Sequence, residues 1–259
     1  MAVSVNKVYQ TVLAIANKEQ RGYITPQEFN LFADQAQMDI FEQYFYDLNQ
    51  VRRIPGNSTN TADHDDILEE KISIFHKSDI NASISNLNTS LVLMNQFTDY
   101  YKILSVRVKS FYFSSPYNEG FVEAEKLSSN ELTKYLSSPL AKPSFDRPVY
   151  TIYSSGTASL YANSTVRLKF YPGFGGNSAT VKIDYIAKPT KPNWTYIAVN
   201  EKPLYNSNAA DHVDFTLHAS EQKKLVIKIL QLAGITIKDY NVTQFANQEE
   251  VKTIQQQKS

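Results

Sequence analysis

The chain has 259 residues, no cysteine, and equal numbers of basic and acidic side chains, 26 of each. The missing cysteines exclude disulfides, thiolate-bound zinc and thiol nucleophiles together. The zero net charge leaves no broad basic field for a polyanion, which argues against sequence-independent DNA binding as the main task.

The length fits one large domain or two smaller ones. Seventeen Tyr and 14 Phe stand against one Trp; tyrosine packs its ring while its hydroxyl stays wet, which suits half-solvated interfaces. The opening Met1-Ala2-Val3-Ser4-Val5-Asn6-Lys7 has no apolar core of a signal peptide. The longest apolar run, Leu225 to Ala233, is broken by Lys228 and Gln231, short of the ~18 residues a membrane span needs. The expectation is a soluble protein made in a reducing cytoplasm, with no membrane partner.

Val5, Val8, Val12, Leu13 and Ala16 recur at helical spacing. The stretch Asn17 to Phe29 then combines a helix stop, a turn and a helix start. Gly22 suits the C′ position, where a left-handed backbone costs glycine little. Thr25 caps the next helix, Pro26 occupies its first position, and Glu28 closes a capping box. That helix is expected from Pro26 to about Asn49, with Phe29, Phe32, Ala33, Ala36, Ile40, Tyr44 and Leu48 inward and Phe41 and Phe45 widening the stripe. Gln27, Asn30 and Gln37 form the opposite, polar face. Such a wide stripe needs partners from elsewhere in the chain or from a neighbouring subunit. Phe29, Phe32, Ile40, Phe41 and Phe45, with Leu225 and Ile229 near the C-terminus, are the candidate interface residues.

Residues 1–50 thus read as a helical hairpin, and residues 51–95 as a polar linker and long extended arm interrupted by a short amphipathic piece around Ile67, Leu68, Ile72 and Phe75. From Gln96 the period changes to two. Residues 101–113 and 120–125 read as a β-hairpin, followed by a helix near 128–137 capped by Ser128 or Ser129, with Leu132, Tyr135 and Leu136 inward and Pro139 ending it. Further strands are expected at Val149–Ser154, Ala158–Tyr161, Thr165–Tyr171, Ala179–Ala187 and Val213–Leu217. This β domain spans 96–218. In 219–259, Ser220 caps a helix buried on several sides through Leu225, Val226, Ile229, Leu230, Leu232 and Ala233, and ended by Gly234. Asp239 caps another, with Val242, Phe245, Ala246 and Val251 inward. The fold class is α+β: terminal helices forming a bundle, an inserted and mainly antiparallel β domain, and the arm.

No motif brings a catalytic set. His212, Asp214, Thr216 and His218 share a face if 211–218 is a strand, but residues two apart on a strand lie about 7 Å apart, too far for one ion to reach three of them. A solvent face opposite Val213, Phe215 and Leu217 explains them better. Asp63-His64-Asp65-Asp66 lacks the calcium-loop pattern and reads as the cap of the Ile67 helix. Gly173-Phe174-Gly175-Gly176-Asn177 lacks the Lys-Ser/Thr and following helix of a phosphate loop and reads as a hairpin turn. Six Asn-x-Ser/Thr triplets, at Asn57, Asn81, Asn88, Asn163, Asn193 and Asn241, read as chance in an Asn-rich chain, and Arg52-Arg53 is too small a basic cluster to hold a phosphate backbone. No catalytic residue, cofactor or metal is assigned, and the chain reads as a non-enzyme.

The run Val8-Tyr9-Gln10-Thr11-Val12-Leu13 continuing through Asn17 to Asn30 resembles the opening of virion structural proteins of short-tailed bacteriophages, the marine and crAss-like groups. Tyr100-Tyr101-Lys102, Pro148-Val149-Tyr150, Asp184 to Pro189 and Leu225 to Ile235 are similar to the same group, in order along nearly the whole chain. The resemblance implies a head–tail connector: a homo-oligomeric neck ring, commonly dodecameric, joining the portal protein to other neck and tail proteins while double-stranded DNA passes without sequence-specific binding. It implies a place in the virion neck after synthesis in the host cytoplasm. Two readings from other classes stand beside it: a carbohydrate- or receptor-binding β-domain protein, suggested by Tyr-rich strands and Asn-rich loops, and a hydrolase using His212, Asp214 and His218.

Overall fold

The computed structural model describes residues 2–18, 24–51, 59–82, 84–86, 90–94, 97–110, 120–154, 166–174, 179–200, 202–237, 248 and 251–252. The expected turn at Gly22, Arg52-Arg53, the Phe111–Phe113 end of the hairpin, the strand at 158–161, and the helix start at Asp239 with Val242, Phe245 and Ala246 lie outside these residues. The chain is α+β. It divides into two compact units, one built from residues 1–74 and 189–259 and the other from 75–188.

In the first unit, β1 (Ala2–Val3) leads into α1 (Val5–Lys18), α2 (Pro26–Val51) and α3 (Thr59–Ser73). The start of α2 follows from its sequence. The Thr25 hydroxyl accepts from the Glu28 amide at 3.3 Å, and the Glu28 carboxylate accepts from the Thr25 amide at 3.0 Å. Those bonds hold the Glu28 carboxyl below the usual carboxylate range. The chain returns through a hairpin, β11 (Tyr196–Val199) and β12 (Lys202–Tyr205), then β13 (Phe215–His218), a single 3₁₀ turn, and α5 (Gln222–Ile237). β1 pairs antiparallel with β13, and α5 packs against both α1 and α2. The strand expected at 213–217 is shifted to Phe215–His218, because Val213 is tied instead to Asn193 by an isolated bridge. Gly234 does not end α5, which continues to Ile237; Gly234 is buried there.

The second unit holds two sheets. The first has the order β2 (His76–Ala82), β10 (Ala179–Ala187), β5 (Tyr100–Ser110), β6 (Val122–Glu123), all antiparallel. The second has the order β3 (Ile84–Asn86), β4 (Leu91–Leu93), β9 (Val166–Tyr171), β8 (Val149–Ser154), β7 (Glu125–Lys126). Among the described residues its only parallel pair is β7 with β8. Val92, Leu168 and Phe170 of one sheet and Val106, Val108, Val181 and Ile183 of the other share one buried core with Phe97, Phe174 and Tyr185. The helix α4 (Ser129–Ser137) starts on a full capping box between Ser128 and Glu131.

Three expectations are corrected here. Residues 51–95 are not an arm: their described residues form α3 and the strands β2, β3 and β4, and Leu68, Phe75, Ala82, Val92 and Met94 in this stretch are buried, whereas Ile67 and Ile74 are exposed. Asp63–Asp66 lie inside α3 rather than at its cap. The hairpin expected at Gly173–Asn177 does not form, because β9 and β10 belong to different sheets; Gly175 to Asn177 themselves lie outside the described residues. The unit boundary consequently falls at 75–188 rather than 96–218. On α4, Leu132 is buried and Tyr135 half-buried as expected, but Leu136 is exposed.

Candidate functional site

Of the residues first considered as metal ligands, His212 and Asp214 are brought together, and His212 Nδ1 and Thr216 Oγ1 are buried with no hydrogen-bond partner among the described residues. His212 Nε2 lies 3.3 Å from the Tyr205 hydroxyl and 3.7 Å from Asp214 Oδ1. That same Asp214 oxygen accepts the Val5 amide at 2.8 Å, pinning the first turn of α1, where a carboxylate also meets the positive helix end. The Thr216 amide donates to Gln37 at 3.0 Å. His218 caps the 3₁₀ turn, accepting from the Ser220 amide through Nδ1. Among the described residues no group of three His, Cys, Asp or Glu could hold a metal ion, and no helix is long and apolar enough to cross a membrane.

The polar face expected on α2 is a clamp rather than a solvent face. Asn30 accepts from the Trp194 amide at 2.9 Å and donates to Asn193 Oδ1 at 2.8 Å. Seven residues on, Gln37 is fully buried and donates to the Thr190 carbonyl at 2.8 Å. A seven-residue step is two helical turns, so both amides face the same way. Asn193 also donates to the Asp211 carbonyl at 2.8 Å; its side-chain nitrogen is thus occupied, against a glycan there. This clamp seats the single tryptophan, whose Nε1 donates to Asn6 at 3.1 Å and whose ring meets Tyr9 at 4.1 Å.

From that anchor the β11–β12 hairpin projects. Trp194 stacks on Tyr196 and on Tyr205, ring centroids 5.7 and 5.9 Å apart, and these two tyrosines are a cross-strand pair. Alternation sends the next pair, Ile197 and Leu204, to the other face, where they are 54% and 62% exposed with Val199 beside them. Among the described residues neither strand has a third strand against it. The sequence reading missed this hairpin because Pro203 and the polar run around Asn200 masked its short alternation.

Of the expected interface residues, Phe29, Ile40, Phe41, Leu225 and Ile229 are already buried by their own chain. Only Phe32 and Phe45 remain half-buried. The wide stripe finds its partners in α5 and β13, so these side chains do not form a free interface.

A buried charge site joins α3 to the C-terminal segment. Lys71 Nζ lies 2.6 Å from the buried Glu221 carboxylate, and its ammonium sits 5.8 Å from the Tyr44 ring centre. Burial, then the Glu221 charge, pushes the Tyr44 phenol far up, so it stays neutral. Burial also lowers the neighbouring Lys224, opposed by Glu221 and Asp47. On the first sheet of the second unit, Arg107 bridges Asp184 at 2.8 Å and Asp79 at 3.2 Å. Asp184 accepts from Ser105 at 2.6 Å and from the Asp79 amide at 2.7 Å. Asp79 has φ +56°, in the region Asp tolerates better than most residues. Lys71 and Glu221 thus balance each other's charge, as Arg107 does for Asp184 and Asp79.

Comparison with protein-family models gives no match, and comparison with curated proteins gives none either.

Proposed function

We propose that the chain is a structural protein that assembles with copies of itself into a ring, and that the ring is a head–tail connector in the neck of a short-tailed phage. The observation carrying the assembly reading is the β11–β12 hairpin. A two-stranded hairpin is marginal in water. One with two open edges and apolar side chains facing out calls for cover from another chain. The rigid base under it, Trp194 clamped by Asn6 and Asn30, holds it ready at little entropic cost. The neck assignment rests on the sequence resemblance. In this reading the helices from both chain ends form the bundle that makes the body of the ring, and the unit that holds them carries more acidic than basic side chains, so that passing DNA is not gripped. Twelve copies is the ring size the resemblance implies.

The test is quantitation of the chain in purified virions by mass spectrometry relative to the portal protein, with negative-stain imaging of the isolated chain. Near-equal copy number and closed rings are expected. Absence from the particle would overturn the neck assignment. A chain monomeric at every concentration, with Ile197→Asp and Leu204→Asp leaving its behaviour unchanged, would overturn the assembly reading.

A further inference from the structure

The chain's neutrality conceals two opposite charges. Residues 1–74 and 189–259 carry 14 basic and 18 acidic side chains, whereas residues 75–188 carry 12 and 8, so the units bear −4 and +4. The negative charge is concentrated on α3, where Asp63, Asp65, Asp66, Glu69 and Glu70 stand against the single Lys71, itself held by Glu221. Asp66, Ile67 and Glu70 follow one another around a single helical stripe, and Ile74 comes immediately after the helix. All four are exposed, the two isoleucines about half so, at 49% and 48%.

The second unit presents the complement. The segment after α4, Pro139 to Pro148, is held by hydrogen bonds from Lys142 N to Ser138 O at 3.1 Å and between Ser144 and Arg147 at 3.2 and 3.3 Å. It displays Leu140, 98% exposed. Leu136 on α4 is exposed as well, and Lys134, Lys142 and Arg147 are exposed cations of the same stretch. Of the two acidic residues there, Glu131 is turned back into its capping box, which leaves Asp146 as the opposing charge. An ordered segment that holds a leucine wholly in water among cations is a knob awaiting an acidic, apolar seat.

We infer that copies of this chain meet head to tail, the acidic and apolar face of α3 in one copy seated against the basic and apolar segment Leu136–Arg147 of the next. Two different surfaces that complement one another make a heterologous contact, the kind that closes into a ring when the rotation allows. Opposite charges steer and orient such an encounter while the apolar side chains hold it. The inference rests on the assembly reading above only in taking a second copy as the occupant.

The experiment uses two surface variants of the full chain, Asp66→Lys with Glu70→Lys, and Lys142→Glu with Arg147→Glu, followed by sedimentation velocity and mass photometry. Each variant alone is expected to assemble at least tenfold more weakly than the parent chain, since like charges then face each other. An equimolar mixture of the two is expected to recover assembly, because each reversed face meets its reversed complement on the other variant. Leu140→Ser, which changes no charge, is expected to weaken assembly without rescue by mixing, and circular dichroism checks that all variants remain folded. Wild-type assembly by either charge variant alone, failure of the mixture to recover, or a parent chain that never leaves the monomer would each overturn the inference. Rings indifferent to these charges would leave the ring reading standing and this contact wrong. Rescue by mixing in a chain absent from virions would leave this contact standing and the neck assignment wrong.

Discussion

Gln37 of α2 and Thr216 of β13 are 179 positions apart in sequence, yet the Thr216 amide donates to the Gln37 side-chain oxygen at 3.0 Å. The same buried side chain donates to the Thr190 carbonyl. Gln37→Leu removes both partners and leaves a backbone donor and acceptor dry. Each orphaned buried group costs about 1–3 kcal/mol, so the variant is expected to lose roughly 2–4 kcal/mol in urea unfolding. A change within measurement error would show that water replaces the side chain.

Breaking the Lys71–Glu221 pair from one side leaves a buried, unbalanced charge. Glu221→Ala is expected to cost on the order of 3–5 kcal/mol, whereas Lys71→Met with Glu221→Leu is expected near the parent's stability. A double-mutant cycle by chemical denaturation checks this. Additive single effects would show that the two groups do not act as a pair.

Asp184 gives an acid dependence of known sign. Burial opposes its charge, but hydrogen bonds from Ser105 and the Asp79 amide, with the Arg107 charge, together hold its carboxyl below the usual range. A group depressed in the folded state stabilises fully above its unfolded pKa, about 4, and loses that effect as pH falls through the lower folded value. Asp184→Asn is expected to cost roughly 2 kcal/mol at pH 7, with the gap from the parent narrowing below about pH 4. Urea midpoints measured at neutral and acid pH decide it, and a gap that stays constant or widens in acid would contradict it.

Gly173 and Ser90 are locked at short range. A Cβ on Gly173 would stand 2.9 Å from the Ser90 hydroxyl oxygen, which already accepts the Phe174 amide at 2.7 Å in a buried setting. Gly173→Ala is expected to cost about 1–3 kcal/mol through overpacking. Because Ser90→Ala removes the clashing oxygen and its bond together, the double variant is expected to cost less than the sum of the single changes. Strict additivity in thermal unfolding would refute the clash.

Local signals carried much of the architecture. The Thr25–Glu28 box, the Pro26 start, a serine cap at 128 or 129, and the strands at 149–154 and 179–187 lie where caps and alternation put them, because each depends on residues within a turn or two. The same locality misled at residues 51–95. Few apolar residues over a polar stretch read as an arm, yet strands buried through one or two side chains each suffice when neighbouring strands complete the ladder. It misled again at Gly173, where a glycine-rich break between two strands carries no mark of whether they pair or part to different sheets.

Composition, helix caps and strand period by themselves determined the α+β class, the helices α1, α2, α4 and α5, and the burial of most of the α2 and α5 stripes. They also contained the segregation of charge between residues 75–188 and the rest, visible once the unit boundary was known. Only the tertiary structure decided that Asn30 and Gln37 face inward, that the histidines near 212–218 serve caps and clamps, and that Ile197 and Leu204 face out. The physical reason is the reach of the interactions. A cap or a period is satisfied by atoms a few residues away, whereas a buried amide or an uncovered hairpin takes its meaning from backbone groups brought together across 150 or more positions.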